Sequence, residues 1–199
     1  MTTKTLTDPR PLLLAAVAQV TPYVERITAA DLDRPTPCDG WAVRELLAHL
    51  VAVEVRIPHI LGGGHPTDLP SAVSGVADDA WLEAWTSARD ALVTALADDD
   101  VLGRMVQHPA GDMPAPQALG IYVSEVCVHA WDLATALGDT SGLDDAPATA
   151  CLEPMRRSLT REMRSESWVP FGPVVEVADD ASPYERLVGW CGRDPRWTA

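Results

Sequence analysis

Residues 120–138 read Gly-Ile-Tyr-Val-Ser-Glu-Val-Cys-Val-His-Ala-Trp-Asp-Leu-Ala-Thr-Ala-Leu-Gly and are apolar in nearly every direction around a helix. The pattern predicts a buried helix that ends at Gly138. This helix nevertheless carries Glu125, His129 and Asp132, which lie on one face because residues three and four apart are neighbours on a helix. Burying such groups without partners costs several kcal/mol, so we expect them to be hydrogen-bonded together, to bind a metal or to line a wet pocket.

The bulk properties favour one globular domain of moderate size with a well-buried core. The chain has 199 residues, 47% of them hydrophobic, and a formal net charge of -14. That charge repels nucleic acid and anionic membranes, so we expect neither as a partner. The N-terminus lacks the apolar core of a signal peptide and no apolar run is long enough to span a bilayer, so we expect a cytoplasmic location. The scattered cysteines are expected to be free thiols.

Hydrophobic periodicity predicts an all-α fold, an antiparallel helical bundle with a short C-terminal extension. The predicted units are the bundle, residues 1–165, and the extension, residues 166–199, packed on it. In the extension, residues 171–177 resemble a small strand and residues 183–191 a short helix. The predicted bundle helices cover residues 9–29, kinked or ended at Pro22, and residues 41–61, 78–97, 115–138 and 145–165. Residues 101–107 fit either a brief strand or an irregular segment, and residues 109–116 are predicted to be a loop.

A second inward-facing polar residue lies on the helix predicted at residues 41–61. His49 points with the apolar stripe of that helix. If this helix packs against the 120–138 helix, His49 can meet Glu125 and His129, giving two imidazoles and one carboxylate with coordination positions left open. This ligand set suits a divalent metal: zinc is the first choice, and nickel, iron and manganese remain open. We expect Asp132 to orient a histidine, and Tyr122, one turn before Glu125, to donate a hydrogen bond in the same pocket.

The competing interpretation is a buried hydrogen-bond cluster without metal. In it, His129 pairs with Glu125 or Asp132, and a backbone carbonyl caps His49. Other candidates are weaker, and we expect them to be packing or surface residues: Cys38, Trp41, Trp131, His59, His65 and His108.

Two segments carry a resemblance to a known family. They are residues 36–51, Thr-Pro-Cys-Asp-Gly-Trp-Ala-Val-Arg-Glu-Leu-Leu-Ala-His-Leu-Val, and residues 125–138, Glu-Val-Cys-Val-His-Ala-Trp-Asp-Leu-Ala-Thr-Ala-Leu-Gly. Together they resemble the mycothiol-dependent maleylpyruvate isomerase N-terminal family, one of the DinB/YfiT-like metal-binding four-helix bundles. The tail is similar to an actinobacterial branch of that group. The resemblance implies a divalent metal held by His49, Glu125 and His129, and a low-molecular-weight thiol such as mycothiol as cosubstrate.

The leading functional hypothesis is therefore a metal-dependent thiol transferase or isomerase, in which the metal activates the thiol toward a small-molecule substrate. Asp132 and Tyr122 are its candidate catalytic residues. A metal-dependent hydrolase on the same site is a variation. The contrasting hypothesis is a non-catalytic protein that binds metal or a small ligand, and a homodimer is left open. The isomerase carries a longer, distinct C-terminal domain, so the substrate also stays open.

Overall fold

The computed structural model describes residues 8–166, 169 and 171–198. The N-terminal stretch inspected for a signal peptide therefore lies mostly outside it, at residues 1–7. The helices, numbered in chain order, are α1 (Arg10–Ala18), α2 (Thr21–Arg26), α3 (Val43–Leu61), α4 (Trp81–Leu96), α5 (Ala115–Ala136), α6 (Asp145–Ser158) and α7 (Pro183–Trp190). Among the described residues, no helix is both long and apolar enough to cross a membrane.

Helices α1, α3, α4 and α5 form a four-helix bundle, which confirms the predicted fold class. α3 packs against α4 and α5, and α1 contacts α5 and α4. The first helical segment breaks after Ala18 and resumes at Thr21, just before Pro22, as expected for a residue that cannot continue a helix. The bundle core is a single cluster of apolar side chains, the largest of which include Trp85, Leu46, Leu50, Ile57, Leu92, Leu119 and Leu133.

The helix α5 is the central element because it contacts α1, α3, α6 and α7. Most of its residues are buried, in agreement with its apolar sequence. It ends where the sequence predicts: Gly138 adopts a φ of 79°, and the N–H of Asp139 donates to the carbonyl of Ala134 at 3.0 Å. Only glycine takes this left-handed conformation without a steric penalty, so the helix stops here.

A β-hairpin leads into α5. Strand β1 (Met105–His108) pairs antiparallel with β2 (Gly111–Pro114), and His108 lies opposite Gly111. The first strand agrees with one of the two expectations for residues 101–107. The prediction of a loop at residues 109–116 is wrong, because β2 has the polar, turn-like sequence Gly-Asp-Met-Pro and is a strand only through its pairing with β1.

The C-terminal extension packs through α7 on α6 and α5. Its short helix is where the sequence predicts it, but residues 171–178 are irregular rather than a strand. The backbone partner of this segment is a helix end: the N–H of Val175 donates to the carbonyl of Gly189 at 2.9 Å. A Cβ on Gly189 would lie 2.8 Å from the Val175 carbonyl oxygen, so this close contact requires glycine.

Helix α6 is shorter than predicted, ending at Ser158 instead of residue 165. The carbonyl of Leu159 accepts a hydrogen bond from the indole of Trp190 at 3.1 Å, so the extension bonds to the end of α6.

One buried carboxylate lies apart from the 120–138 face. Glu54 on α3 is fully buried, and neither of its side-chain oxygens has a hydrogen-bond partner in the described structure. Burial raises the pKa of this carboxyl to about 8, and the Arg89 charge only partly opposes the rise. Glu54 is thus a protonated core residue at neutral pH.

Candidate metal centre

The packing of α3 against α5 brings the three predicted ligands, His49, Glu125 and His129, to one place. We call these three residues the trio. The Nε2 of His49 lies 3.0 Å from Oε1 of Glu125. The ring centroids of His49 and His129 are 4.9 Å apart, and the rings meet edge to face. The side chains keep exposed fractions of 12% for each histidine and 26% for Glu125, so the cluster is open to solvent on one side.

Both ring nitrogens of His49 face acceptors. Nδ1 lies 2.8 Å from the carbonyl oxygen of Ser71, and Nε2 faces the Glu125 carboxylate. Since a carbonyl can only accept, Nδ1 carries a proton, and a neutral ring then has its lone pair on Nε2. A lone pair facing a carboxylate oxygen at 3.0 Å is repulsive unless a positive species is shared between them. The geometry therefore requires either a proton between His49 and Glu125 or a metal cation at this point.

His129 is oriented by a buried carboxylate. Its Nδ1 lies 3.0 Å from Oδ2 of Asp132, which leaves Nε2 as the free nitrogen. No described residue bonds to that Nε2. This histidine–carboxylate arrangement fixes the tautomer and ring direction of metal-binding histidines in other proteins.

Asp132 itself is held by the C-terminal extension. Its side chain is fully buried and accepts hydrogen bonds from Arg193 Nε at 3.0 Å and Nη2 at 3.1 Å. Burial alone lowers the pKa of Arg193, but the Asp132 charge and hydrogen bonds outweigh it and leave the pKa above its ordinary value. Asp132 thus holds His129 in position, and both of its carboxylate oxygens already accept hydrogen bonds from side chains.

The trio fits a divalent metal by the chemistry of its donors. Two ligands bound to zinc at 2.0–2.1 Å in tetrahedral geometry lie about 3.3 Å apart, close to the separation of His49 Nε2 and Glu125 Oε1. The second nitrogen of each histidine is held by an oxygen, as metal-bound histidines require. The competing interpretation predicted the same carbonyl contact on His49 and the same carboxylate contact on His129, so these two bonds favour neither reading.

A second group of metal-type donors lies beside the trio. Among the described residues, donor atoms of Cys38, His129 and Asp132 all lie within 4.8 Å of one another. The donor atoms of the trio are not all this close together. The guanidinium of Arg193 already bonds to two of these three, donating to Asp132 and, at 3.2 Å, to Sγ of Cys38. Because a cation already occupies this position, we assign no metal to it. Burial raises the pKa of Cys38 to about 11, so it remains a thiol.

Trp41 covers the two histidines. Its ring centroid lies 5.8 Å from that of His129, with the planes at 20°, and 5.0 Å from that of His49. The packing role expected from sequence therefore places Trp41 against the site. An aromatic surface here shields the histidine rings from water on one side.

The charge state of Glu125 suits a ligand. Burial raises the pKa of this carboxyl, but the His49 hydrogen bond and the positive charges of His49, His129 and Arg56 outweigh burial, so the pKa is lowered overall. Glu125 is a carboxylate at neutral pH.

A second polar cluster, formed by Arg56, His108 and Tyr122, lies next to Glu125. The rings of His108 and Tyr122 have centroids 5.0 Å apart. Burial lowers the pKa of His108 and raises that of Tyr122 well above its ordinary value, and the charges of Glu125 and Arg56 act on both groups. Tyr122 is fully buried and, in the described structure, its hydroxyl has no partner. It therefore lies near Glu125 as predicted, but makes no hydrogen bond there.

One residue lies elsewhere than the sequence predicts, and other residues of the site carry no prediction. His108 was expected at the surface, but it is only 8% exposed because β1 turns it toward α5. Arg56 carries no prediction, although it is seven residues after His49 and therefore within about 20° of it around the helix. Arg193 and Ser71 carried no signal, since a tail residue and a loop carbonyl reach the site only through tertiary packing.

A model of the mycothiol maleylpyruvate isomerase N-terminal domain matches residues 13–134, a span that contains His49, Glu125 and His129. The chain belongs to this family. The match includes Asp132 but stops short of Arg193, so the contact between these two residues joins the matched part to a segment outside it.

Two solved structures share the family fold. One is the crystal structure of the mycothiol-dependent maleylpyruvate isomerase, with a TM-score of 0.54 and 19% sequence identity, covering 83% of this chain and 75% of that one. The other is a histidine-to-alanine mutant of that isomerase, with the same TM-score and 18% identity. An uncharacterized protein found in two strains of Mycobacterium tuberculosis is 25% identical over 170 residues, which are 85% of this chain and 89% of the relative.

A surface depression of about 700 Å³ lies elsewhere, between the end of α5 and the extension. Its lining includes Trp131, Thr135, Tyr184 and Trp197, and none of the trio. No histidine is among the described residues that line it, so it lacks a donor set like that of the trio. We therefore do not assign the reacting centre to it.

Proposed function

We propose that this protein is a metal-dependent enzyme that uses a low-molecular-weight thiol of the mycothiol type, as an isomerase or a thiol transferase. The observation that carries the proposal is the convergence of His49, Glu125 and His129 on one cluster open to solvent, in which no described residue bonds to Nε2 of His129. Membership of the family and the fold shared with a mycothiol-dependent isomerase support the thiol.

In this proposal His49, Glu125 and His129 hold a divalent cation, with zinc as the first choice for two imidazoles and one carboxylate. A bound cation of this kind supplies a Lewis acid that lowers the pKa of a thiol next to it. The open side of the cluster, where all three side chains retain some exposure, is where small molecules enter.

The surrounding residues set the positions of the ligands. Asp132, fixed by Arg193, holds His129 in the tautomer that directs Nε2 to the site. The carbonyl of Ser71 does the same for His49. Trp41 packs on both rings and limits the approach of water. Tyr122 keeps a protonated hydroxyl beside Glu125 that is free to donate a hydrogen bond to a ligand.

The test is thiol-dependent turnover by zinc-loaded protein. Two reactions are followed with mycothiol present: isomerisation of maleylpyruvate, and transfer of the thiol to chlorodinitrobenzene. We expect at least one of them to require both thiol and zinc, to stop on chelation, and to be lost in His129→Ala but retained in His65→Ala, a change at an exposed histidine. Turnover that survives loss of His49, Glu125 or His129 would refute the proposal. Tight zinc binding with no turnover and no affinity for thiol would instead indicate a non-catalytic binding protein.

A further inference from the structure

Three buried hydrogen-bond donors beside the candidate metal centre have no partner in the described structure. They are Nε of Arg56, Nε2 of His108 and the hydroxyl of Tyr122. These residues are 7%, 8% and 0% exposed, so bulk water does not satisfy them. Leaving a buried donor without an acceptor is costly, and native structures contain few such groups.

Each of the three is a donor for a reason visible in the structure. The N–H of Ala110 donates to Nδ1 of His108 at 3.0 Å, so Nδ1 bears the lone pair and the ring proton is on Nε2. The high pKa of Tyr122 keeps its hydroxyl protonated, and Arg56 is always charged. The charge of the Arg56 guanidinium and its approach to the Tyr122 hydroxyl both lower the pKa of Tyr122 against the effect of burial, although the contact falls short of a well-formed hydrogen bond.

The positive charge of Arg56 also lacks a carboxylate partner. Within the described residues, Arg56 forms no ion pair, and its one hydrogen bond is from Nη2 to the carbonyl of Pro70 at 3.1 Å. Burial of an arginine without an acidic partner is unusual, because an unpaired buried charge is unfavourable. The cluster therefore has three unused donors and one positive charge, which the nearby Glu125 carboxylate opposes through space without forming an ion pair.

The loop between α3 and α4 joins this cluster to the candidate metal centre. The carbonyl of Pro70 holds Arg56, and the carbonyl of the next residue, Ser71, holds His49. Along the helices, Arg56 is seven residues from His49 and Tyr122 is three residues from Glu125. At 1.5 Å per residue, the cluster lies roughly 5–10 Å from the trio along the bundle axis.

We propose that Arg56, His108 and Tyr122 form a subsite for the carboxylate group of a small organic acid. A carboxylate offers acceptors only, and its two oxygens and negative charge match three donors around a guanidinium. This inference rests on the proposed function, which assigns the trio as the reacting centre. It adds the chemical class of the substrate. It selects substrates that carry a carboxylate several ångströms from the reacting carbon, and it anchors that end of the molecule.

The experiment measures direct binding of maleate to the full chain by titration calorimetry, with its neutral dimethyl ester and inorganic phosphate as comparison ligands. The variants are Tyr122→Phe, which removes one hydroxyl, and Arg56→Met, which removes the charge but keeps the length. Arg44→Met on the same helix, where Arg44 pairs with Asp78 at the surface, is the matched control. Each protein is titrated both zinc-loaded and after chelation, so that binding to the metal is separated from binding to the subsite.

We expect saturable binding of maleate in both metal states, weakened roughly ten- to a hundredfold in Tyr122→Phe and Arg56→Met, the loss typical of a hydrogen bond to a charged group. The ester should not bind, and Arg44→Met should bind like wild type. Equal affinities in all variants, equal binding of the ester, or tighter binding of phosphate than of maleate would each overturn the proposal.

Two further results separate the subsite from the proposed function. In the first, maleate binds to the zinc-free protein and binds less tightly to Tyr122→Phe and Arg56→Met, while the turnover test fails. That result would support the subsite and contradict the proposal of a metal-dependent enzyme. Maleate binding that is lost when zinc is removed, and is unchanged in Tyr122→Phe, would contradict the subsite and leave the metal centre supported. The thermal stability of Tyr122→Phe is the check on folding, and it should not fall, because the hydroxyl has no partner to lose.

Discussion

Replacing Arg193 by methionine should destabilise the protein strongly, although Arg193 belongs to the C-terminal extension. The substitution keeps the length of the side chain and removes its charge. Asp132 then remains fully buried, and His129 is the one side chain among the described residues that still bonds to it. The loss arises because a carboxylate is left in the core without the cation that compensates it.

Removing one partner of a buried ion pair costs about 3–5 kcal/mol. The Arg193 side chain retains 14% exposure, so we expect the lower end, about 3 kcal/mol. For a chain of this size, 1 kcal/mol corresponds to roughly 2–4 °C, which predicts a fall in melting temperature of roughly 6–12 °C.

The assay is urea unfolding followed by circular dichroism, supported by thermal melts. Arg196→Met serves as the control, since Arg196 is 86% exposed and its pair with Asp194 contributes little. The double variant Asp132→Asn with Arg193→Met should lose less than the sum of the two single losses, because neither charge is then buried alone. A loss within about 0.5 kcal/mol of zero for Arg193→Met, the range of ordinary surface changes, would refute the reasoning.

Three further predictions concern single side chains. Asp132→Asn should weaken zinc binding roughly 10–100-fold in a competition titration, because it disturbs the orientation of His129; unchanged affinity would mean that Asp132 only stabilises the fold. Glu54 has a pKa raised to about 8 in the folded state, so its destabilising effect is absent below its unfolded pKa, grows as pH rises and is complete above about pH 8. Urea unfolding of Glu54→Gln should therefore show a gain over wild type of up to about 3 kcal/mol at pH 7 that vanishes near pH 4; a gain that does not change with pH would contradict this account. Tyr122→Phe should be as stable as wild type or about 1 kcal/mol more stable, whereas a loss above that size would show that the hydroxyl is bonded within the protein.

The predictable parts of the fold follow from local periodicity. The apolar character of residues 120–138, and Gly138 at their end, are properties of one helix and need no knowledge of its neighbours. The same is true of the pairing of Glu125 with His129 on one face. The β-hairpin and the irregular tail are harder to predict from sequence. β2 is a strand only because it pairs with β1, and residues 171–178 bond to the end of a helix instead of to another strand.

The parts of the site that the sequence did not predict come from distant segments. Arg193 lies 61 residues from Asp132 in the chain, and Ser71 lies 22 residues from His49. No periodic pattern links such positions. Arg56 is different, since an arginine on the apolar face of α3 was visible in the sequence and its helical phase relative to His49 points to the same cluster.

The most direct test of the central claim is the metal content of the purified protein. Five proteins would be incubated with zinc, desalted and measured by plasma mass spectrometry, with circular dichroism to confirm folding. They are wild type, His49→Ala, Glu125→Ala, His129→Ala and the control His65→Ala. We expect about one zinc per chain in wild type and His65→Ala, and a large loss of zinc in the three trio variants. Equal zinc content in all five proteins, or none in folded wild type, would contradict it and leave the trio as a hydrogen-bond cluster.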